Sequence, residues 1–108
     1  MKIEMIIVNK KGHFKAKGIY DGQKVIVQKG GFINPNFASC IRGGNLSKQY
    51  RADRNYVSEN YEIITDCVFR SPSTAAQFIT GRSVNGYKIW KVSNDQSLDD
   101  YLKDKGLR

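Results

Sequence analysis

The sequence is poor in the residue types that build metal centres, disulfides and histidine-based active sites. Its 108 residues hold one histidine, His13, and two cysteines, Cys40 and Cys67, with no CxxC spacing. His13 alone cannot supply a histidine-built metal centre, and cysteines so placed read as buried free thiols. No apolar run approaches a membrane span, and the N-terminal MKIEMIIVNKKG is too short in its apolar stretch, broken by Glu4, for a signal peptide. The expected location is cytoplasmic, with no membrane partner. Repeats, low-complexity tracts and linkers are also missing. Residues 1–108 are therefore expected to form a single domain, with no room for a separate catalytic one.

What is present is a basic, globular composition: 40% hydrophobic, 11% aromatic and 26% charged residues, with a net charge of +8. The charge is uneven. Residues 1–51 hold ten Lys or Arg against Glu4 and Asp21, whereas residues 52–108 hold eight of each sign. A basic N-terminal half fits a polyanionic partner, and equally a solvated lysine-rich sheet face.

That half reads as antiparallel strands: IEMIIV, GHFKAKGIY and QKVIVQK, with Asp21-Gly22 as a two-residue hairpin turn. Such a turn pairs Tyr20 with Gln23 and sets Gly18 opposite Val25 and Ala16 opposite Val27. Phe14, Ala16, Tyr20, Val25 and Val27 then share the core face, with Lys15, Lys17, Lys24, Ile19 and Ile26 on the other.

After a loop punctuated by Gly30-Gly31, Asn34-Pro35 and Gly43-Gly44, NLSKQYRADRN predicts a short helix capped by Asn45, with Leu46 and Tyr50 on one side. YEIITDCVF reads as a strand. Ser71 as N-cap, Pro72 at the first helical position and Gly81 as stop predict a helix of about nine residues. Asn85-Gly86 reads as a turn and YKIWKV as the strand behind it. Ser97 caps a last helix, with Asp99 and Asp100 at its start and Lys103 and Lys105 at its end. The expected class is α+β: an N-terminal antiparallel sheet, a short middle helix, a C-terminal helix-turn-strand unit and a short terminal helix.

Chemistry concentrates between Phe69 and Trp90. Ser71, Ser73 and Thr74 surround the N–H groups at the positive end of a helix dipole, bracketed by Arg70 and Arg82, and such a turn binds phosphate. No catalytic set is expected. The serines have no histidine near them in sequence, Gly18–Tyr20 reads GIY without the YIG of GIY-YIG nucleases, and Asp99-Asp100 complement a helix dipole. No cofactor is expected either.

Phe69, Ser71, Pro72, Ser73, Ala75, Ala76, then Gly81, Arg82, Ser83, Asn85, Gly86, then Trp90 and Lys91 make up a pattern that resembles the DUF4357 family. KVIVQKGGF and DQSLDDYL extend the resemblance to roughly residues 14–102. Tyr87 stands where a tryptophan is usual. The resemblance implies association with restriction-modification proteins, methyltransferases and nucleases, where such domains are usually appended. A domain standing alone is instead expected to be complete as a nucleotide-capturing pocket. Small phage proteins that sequester nucleotide defence signals, such as cyclic ADP-ribose derivatives, are the model by analogy.

The leading expectation is thus a non-enzymatic nucleotide-binding module. Phosphate would sit at Ser71, Ser73 and Thr74 with Arg70 or Arg82, a base would stack on Phe69, Tyr87 or Trp90, and Asn85 would read its polar edge. The alternative is DNA binding through Lys15, Lys17, Lys24, Lys48 and Arg51. A third expectation is an assembly module, a homo-oligomer formed through the sheet or the Leu98, Tyr101, Leu102 stripe.

Overall fold

The computed structural model describes residues 1–38 and 45–108. Cys40 and the Gly43-Gly44 pair lie outside the described residues. The elements run β1 (Ile3–Val8), β2 (Lys15–Tyr20), β3 (Val25–Val27), α1 (Asn45–Ala52), β4 (Cys67–Phe69), α2 (Pro72–Thr80), α3 (Gly86–Ile89), β5 (Lys91–Ser93), β6 (Gln96–Ser97) and α4 (Leu98–Asp104). This is the α+β class expected, built on one six-stranded sheet in the order β4-β3-β2-β1-β5-β6, antiparallel throughout.

Alternation along the strands sorts the two faces of the sheet. Ile3, Met5 and Ile7 of β1, Ala16 and Tyr20 of β2, and Val25 and Val27 of β3 point inward, and they meet Ala75, Ala76, Phe78 and Ile79 of α2 in the core. Helix α2 packs on β2, β3 and β4; α1 and α3 pack against α2, and α4 packs on α3, β5 and β6. The opposite sheet face keeps Lys15, Lys17, Ile26 and Val68 exposed.

The hairpin keeps its predicted core face but moves its register. Tyr20 pairs with Val25 and Gly18 with Val27, so the turn falls one residue later, on Gly22-Gln23. Asp21 causes the shift: its carboxylate accepts from the N–H groups of Gln23 and Lys24 at 2.9 and 2.7 Å, taking the place of a backbone acceptor. A two-residue displacement preserves alternation, so Phe14, Ala16, Tyr20, Val25 and Val27 stay buried.

Three other expectations change. Of the predicted strand at 61–69 only Cys67–Phe69 forms, because Ser58 gathers a turn: its hydroxyl accepts from Asn60 and Glu62, and Tyr61 takes φ 64. Helix α1 turns Ser47, Tyr50 and Arg51 toward α2 and leaves Leu46 exposed. Asn85-Gly86 is not a hairpin turn. Asn85 caps the single-turn α3, accepting from the Tyr87 N–H at 3.1 Å, so the predicted strand starts only at Lys91.

Helix α2 follows its sequence signals closely. Ser71 and Thr74 form a reciprocal capping box, Pro72 opens the helix, and Gly81 closes it at φ 73, a left-handed conformation suited to glycine. Helix α4 is likewise capped by Ser97, which accepts from Asp100.

Candidate functional site

The first turn of α2 is already occupied by the protein itself. The Ser71 hydroxyl accepts from the Thr74 N–H at 3.2 Å, and the Thr74 hydroxyl accepts from the Ser71 N–H at 3.3 Å. The Ser73 hydroxyl accepts from the Gly86 N–H at 3.0 Å. Gly86 lies so close to the turn that a Cβ there would overlap the backbone of Pro72 and Ser73. Of the three hydroxyls expected to cradle phosphate, those of Ser71 and Thr74 therefore cap α2 and that of Ser73 docks α3 onto it. Phe69 and Trp90, expected to stack on a base, are 1% and 0% exposed and belong to the core.

The other predicted ligand residues fall into separate places. Arg70 and Thr74 line a cleft of about 430 Å³ between α1 and α2, with Asn45, Gln49 and Gln77. Tyr87 lines a different cleft of about 370 Å³, where the Arg108 guanidinium lies 3.8 Å from its ring centroid and Tyr20 meets it edge-on at 6.4 Å. Burial, with the Tyr87 hydroxyl as neighbour, pushes the Tyr20 phenol up to about 12.

Arg82 and Asn85 line two adjoining depressions that share Val8, Lys10, Val84 and Ile89. The first, about 540 Å³, carries Lys10, Lys11, His13 and Arg82 beside Asn34 and Thr80. The second, about 740 Å³, carries Lys10, Lys88 and Lys91 beside Asn85, Ser93 and Asn94. Neither lining contains a carboxylate. Together they form a basic cleft with an aliphatic saddle at its centre.

Local structure explains how these cations come together. In the β1–β2 connection Asn9 accepts from Lys11 N–H at 2.7 Å through its side chain and from Gly12 N–H at 2.9 Å through its carbonyl, a tight turn that leaves Lys10, Lys11 and His13 exposed. Opposite it, the Thr80 hydroxyl accepts from the Arg82 N–H at 3.2 Å, fixing Arg82 just beyond the end of α2. Strand β5 pairs with β1 only at Ile6↔Lys91, so β1 beyond Ile6 has no strand partner on that side and Val8 faces the cleft.

Lys88 ties the cleft to a buried carboxylate behind it. Asp99, with a side chain only 3% exposed, meets Lys88 Nζ at 2.8 Å, Lys103 Nζ at 3.0 Å and Arg108 Nε at 3.2 Å. Hydrogen bonds from Lys88 and Lys103 hold the Asp99 carboxyl down to about 2, and the same bond raises the Lys88 ammonium above its usual range. From sequence, Asp99 reads only as a helix-dipole residue. Lys10, Lys11, His13, Lys88 and Lys91 lie outside the ligand residues expected from sequence; for the first three the signal is the basic KKGH turn between two strands.

The five cations of the DNA expectation do not share a surface. Lys15 and Lys17 are exposed on β2 and Lys24 in the β2–β3 turn, while Lys48 and Arg51 sit on α1. Arg51 is committed inward: Nε donates to the Phe78 carbonyl at 2.9 Å and Nη1 to the Asn34 carbonyl at 2.8 Å, and burial lowers its guanidinium to about 10.

The Phe69–Lys91 pattern thus marks a packed unit in which α2, Gly86 and Trp90 hold one another. A family model described as "Domain of unknown function (DUF4357)" matches residues 6–102. The chain belongs to that family. Comparisons with curated proteins and with solved structures gave no match. In this DUF4357 domain, no group of three or more His, Cys, Asp or Glu side chains that could hold a metal ion occurs among the described residues.

Proposed function

We propose that this DUF4357 domain binds a phosphate-bearing nucleotide, without transforming it, in the basic cleft between the β1–β2 turn and residues 82–94. The observation that carries the reading is a cleft lined by Lys10, Lys11, His13, Arg82, Lys88 and Lys91 with no carboxylate in either half. Like charges gathered around one depression raise the local concentration of an anion. The saddle of Val8, Val84 and Ile89 offers apolar area to a base or ribose, and Asn34, Asn85 and Asn94 supply neutral polar contacts. Two residues of the sequence-based set, Arg82 and Asn85, keep their proposed role, whereas Ser71, Ser73, Thr74, Phe69 and Trp90 act in folding.

Titration of isotope-labelled protein with ATP and with ADP-ribose tests this. Amide shifts are expected at Lys10, Lys11, His13, Arg82 and Asn85, and Arg82→Ala should weaken binding while leaving Tm nearly unchanged. Shifts confined to Ser71–Thr74, or binding indifferent to Arg82→Ala, would remove the assignment.

A further inference from the structure

The basic cleft does not end at the rim of its two halves. Ile6 and Lys91, which line the second half, also line a groove of about 320 Å³ on the open face of the sheet, where Lys17 and Gln28 stand. Each depression falls in the size range that holds a compact ligand, so three in series exceed what one nucleotide can fill. Cations recur along the whole path: Arg82 and Lys11 at one end, Lys10 at the junction, Lys88 and Lys91 in the middle, Lys17 at the far end. Glu4 is the carboxylate on this path.

We infer that the ligand of this track is a single-stranded nucleic acid, whose successive phosphates follow the cations while its bases rest on Val8, Val84 and Ile89. The inference rests on the nucleotide reading of the cleft and names its substrate class. A duplex presents only phosphates to a depression and would leave the aliphatic saddle unused; unpaired bases can reach it. The aromatic rings lining the cleft are Phe14, which is 7% exposed, and the exposed imidazole of His13, so no row of stacking platforms occurs among the described residues. Binding must then lean on the backbone. Affinity should fall with salt at a log-log slope of about −0.7 per phosphate contacted.

The test is fluorescence anisotropy with labelled oligothymidylates of increasing length, a duplex of matching length, and thymidine monophosphate as competitor. Affinity should climb with length until the track is filled, and single strands should bind more tightly than the duplex. Lys17→Glu, at the far end, should weaken the longer oligonucleotides roughly tenfold and affect the monophosphate much less. Gln28→Glu, which lines only the far groove, provides a second handle should Lys17→Glu disturb the sheet, which circular dichroism would reveal. If length brings no gain and both variants leave oligonucleotide binding intact while Arg82→Ala weakens the monophosphate, the strand is overturned and the compact-nucleotide reading survives. Equal or tighter binding of duplex also overturns the strand. Absence of binding by both probes removes both readings.

Discussion

The indole Nε1 of Trp90 donates to the carbonyl of Pro72 at 3.0 Å, deep in the core. Beside it the Gly86 N–H reaches the Ser73 hydroxyl at 3.0 Å. These two bonds lock the segment that leads into β5 against the first turn of α2. They account for Pro72, Ser73, Gly86 and Trp90 of the Ser-Pro-Ser, Asn-Gly and Trp-Lys pattern.

Trp90→Phe removes that donor and leaves the Pro72 carbonyl with only its bond inside α2. Losing a buried hydrogen bond costs about 0.5–1.5 kcal/mol, and the smaller ring adds a cavity. Thermal melts should show Tm lowered by several degrees or more, since about 1 kcal/mol shifts a domain of this size by roughly 4–8 °C. Ligand titrations on the folded protein should match the wild type.

Ser73→Ala and Arg82→Ala should separate folding from binding. Ser73→Ala strands the Gly86 N–H and should cost about 1 kcal/mol with little effect on ligand. Arg82→Ala alters an exposed side chain, so Tm should move little while nucleotide affinity drops. The reverse pairing of effects, read by melting and calorimetric titration on the same preparations, would put the site back on the α2 turn.

Much of the fold was legible because local chemistry decides it. Ser71, Pro72 and Gly81 specify α2 almost to the residue, and strict alternation in β1 to β3 fixes the core face even though Asp21 displaces the hairpin register. The candidate site was less legible. A serine-rich helix start reads alike whether its hydroxyls meet phosphate or a neighbouring loop, and only the approach of Gly86 decides between them. The cations of the cleft are drawn from the β1–β2 turn, the end of α2, α3 and the start of β5, so no single stretch of sequence displays them together.

Asp99 gives the protein a defined acid sensitivity. Its folded carboxyl lies near 2, below the ordinary value of 3.8, so the charged form is favoured by folding. This contribution is fully present above about pH 4 and is lost as pH falls toward 2. Asp99→Asn should therefore melt lower than wild type at pH 7, and the gap between the two should narrow as the pH approaches 2. A gap independent of pH in that window would show that the ion cluster contributes by packing alone.

Asn85→Asp probes the cleft without touching the helix it caps. The Asn85 side-chain oxygen accepts from the Tyr87 N–H, and a carboxylate caps a helix as well as an amide does, so α3 and Tm should be preserved. In the cleft the change is larger. The amide's two donors are lost, and a negative charge enters a depression that also holds Lys10, Lys88 and Lys91. Anion affinity should fall by tenfold or more, corresponding to roughly 1.4 kcal/mol, with unchanged melting. Asn85→Ala should weaken the cap by about 0.5–2 kcal/mol and, losing the two donors but adding no charge, lower affinity less than Asn85→Asp does. Calorimetry of ligand binding beside thermal melts distinguishes the two variants: equal affinity in Asn85→Asp and wild type would show that the cleft around Asn85 does not contact the phosphate-bearing ligand.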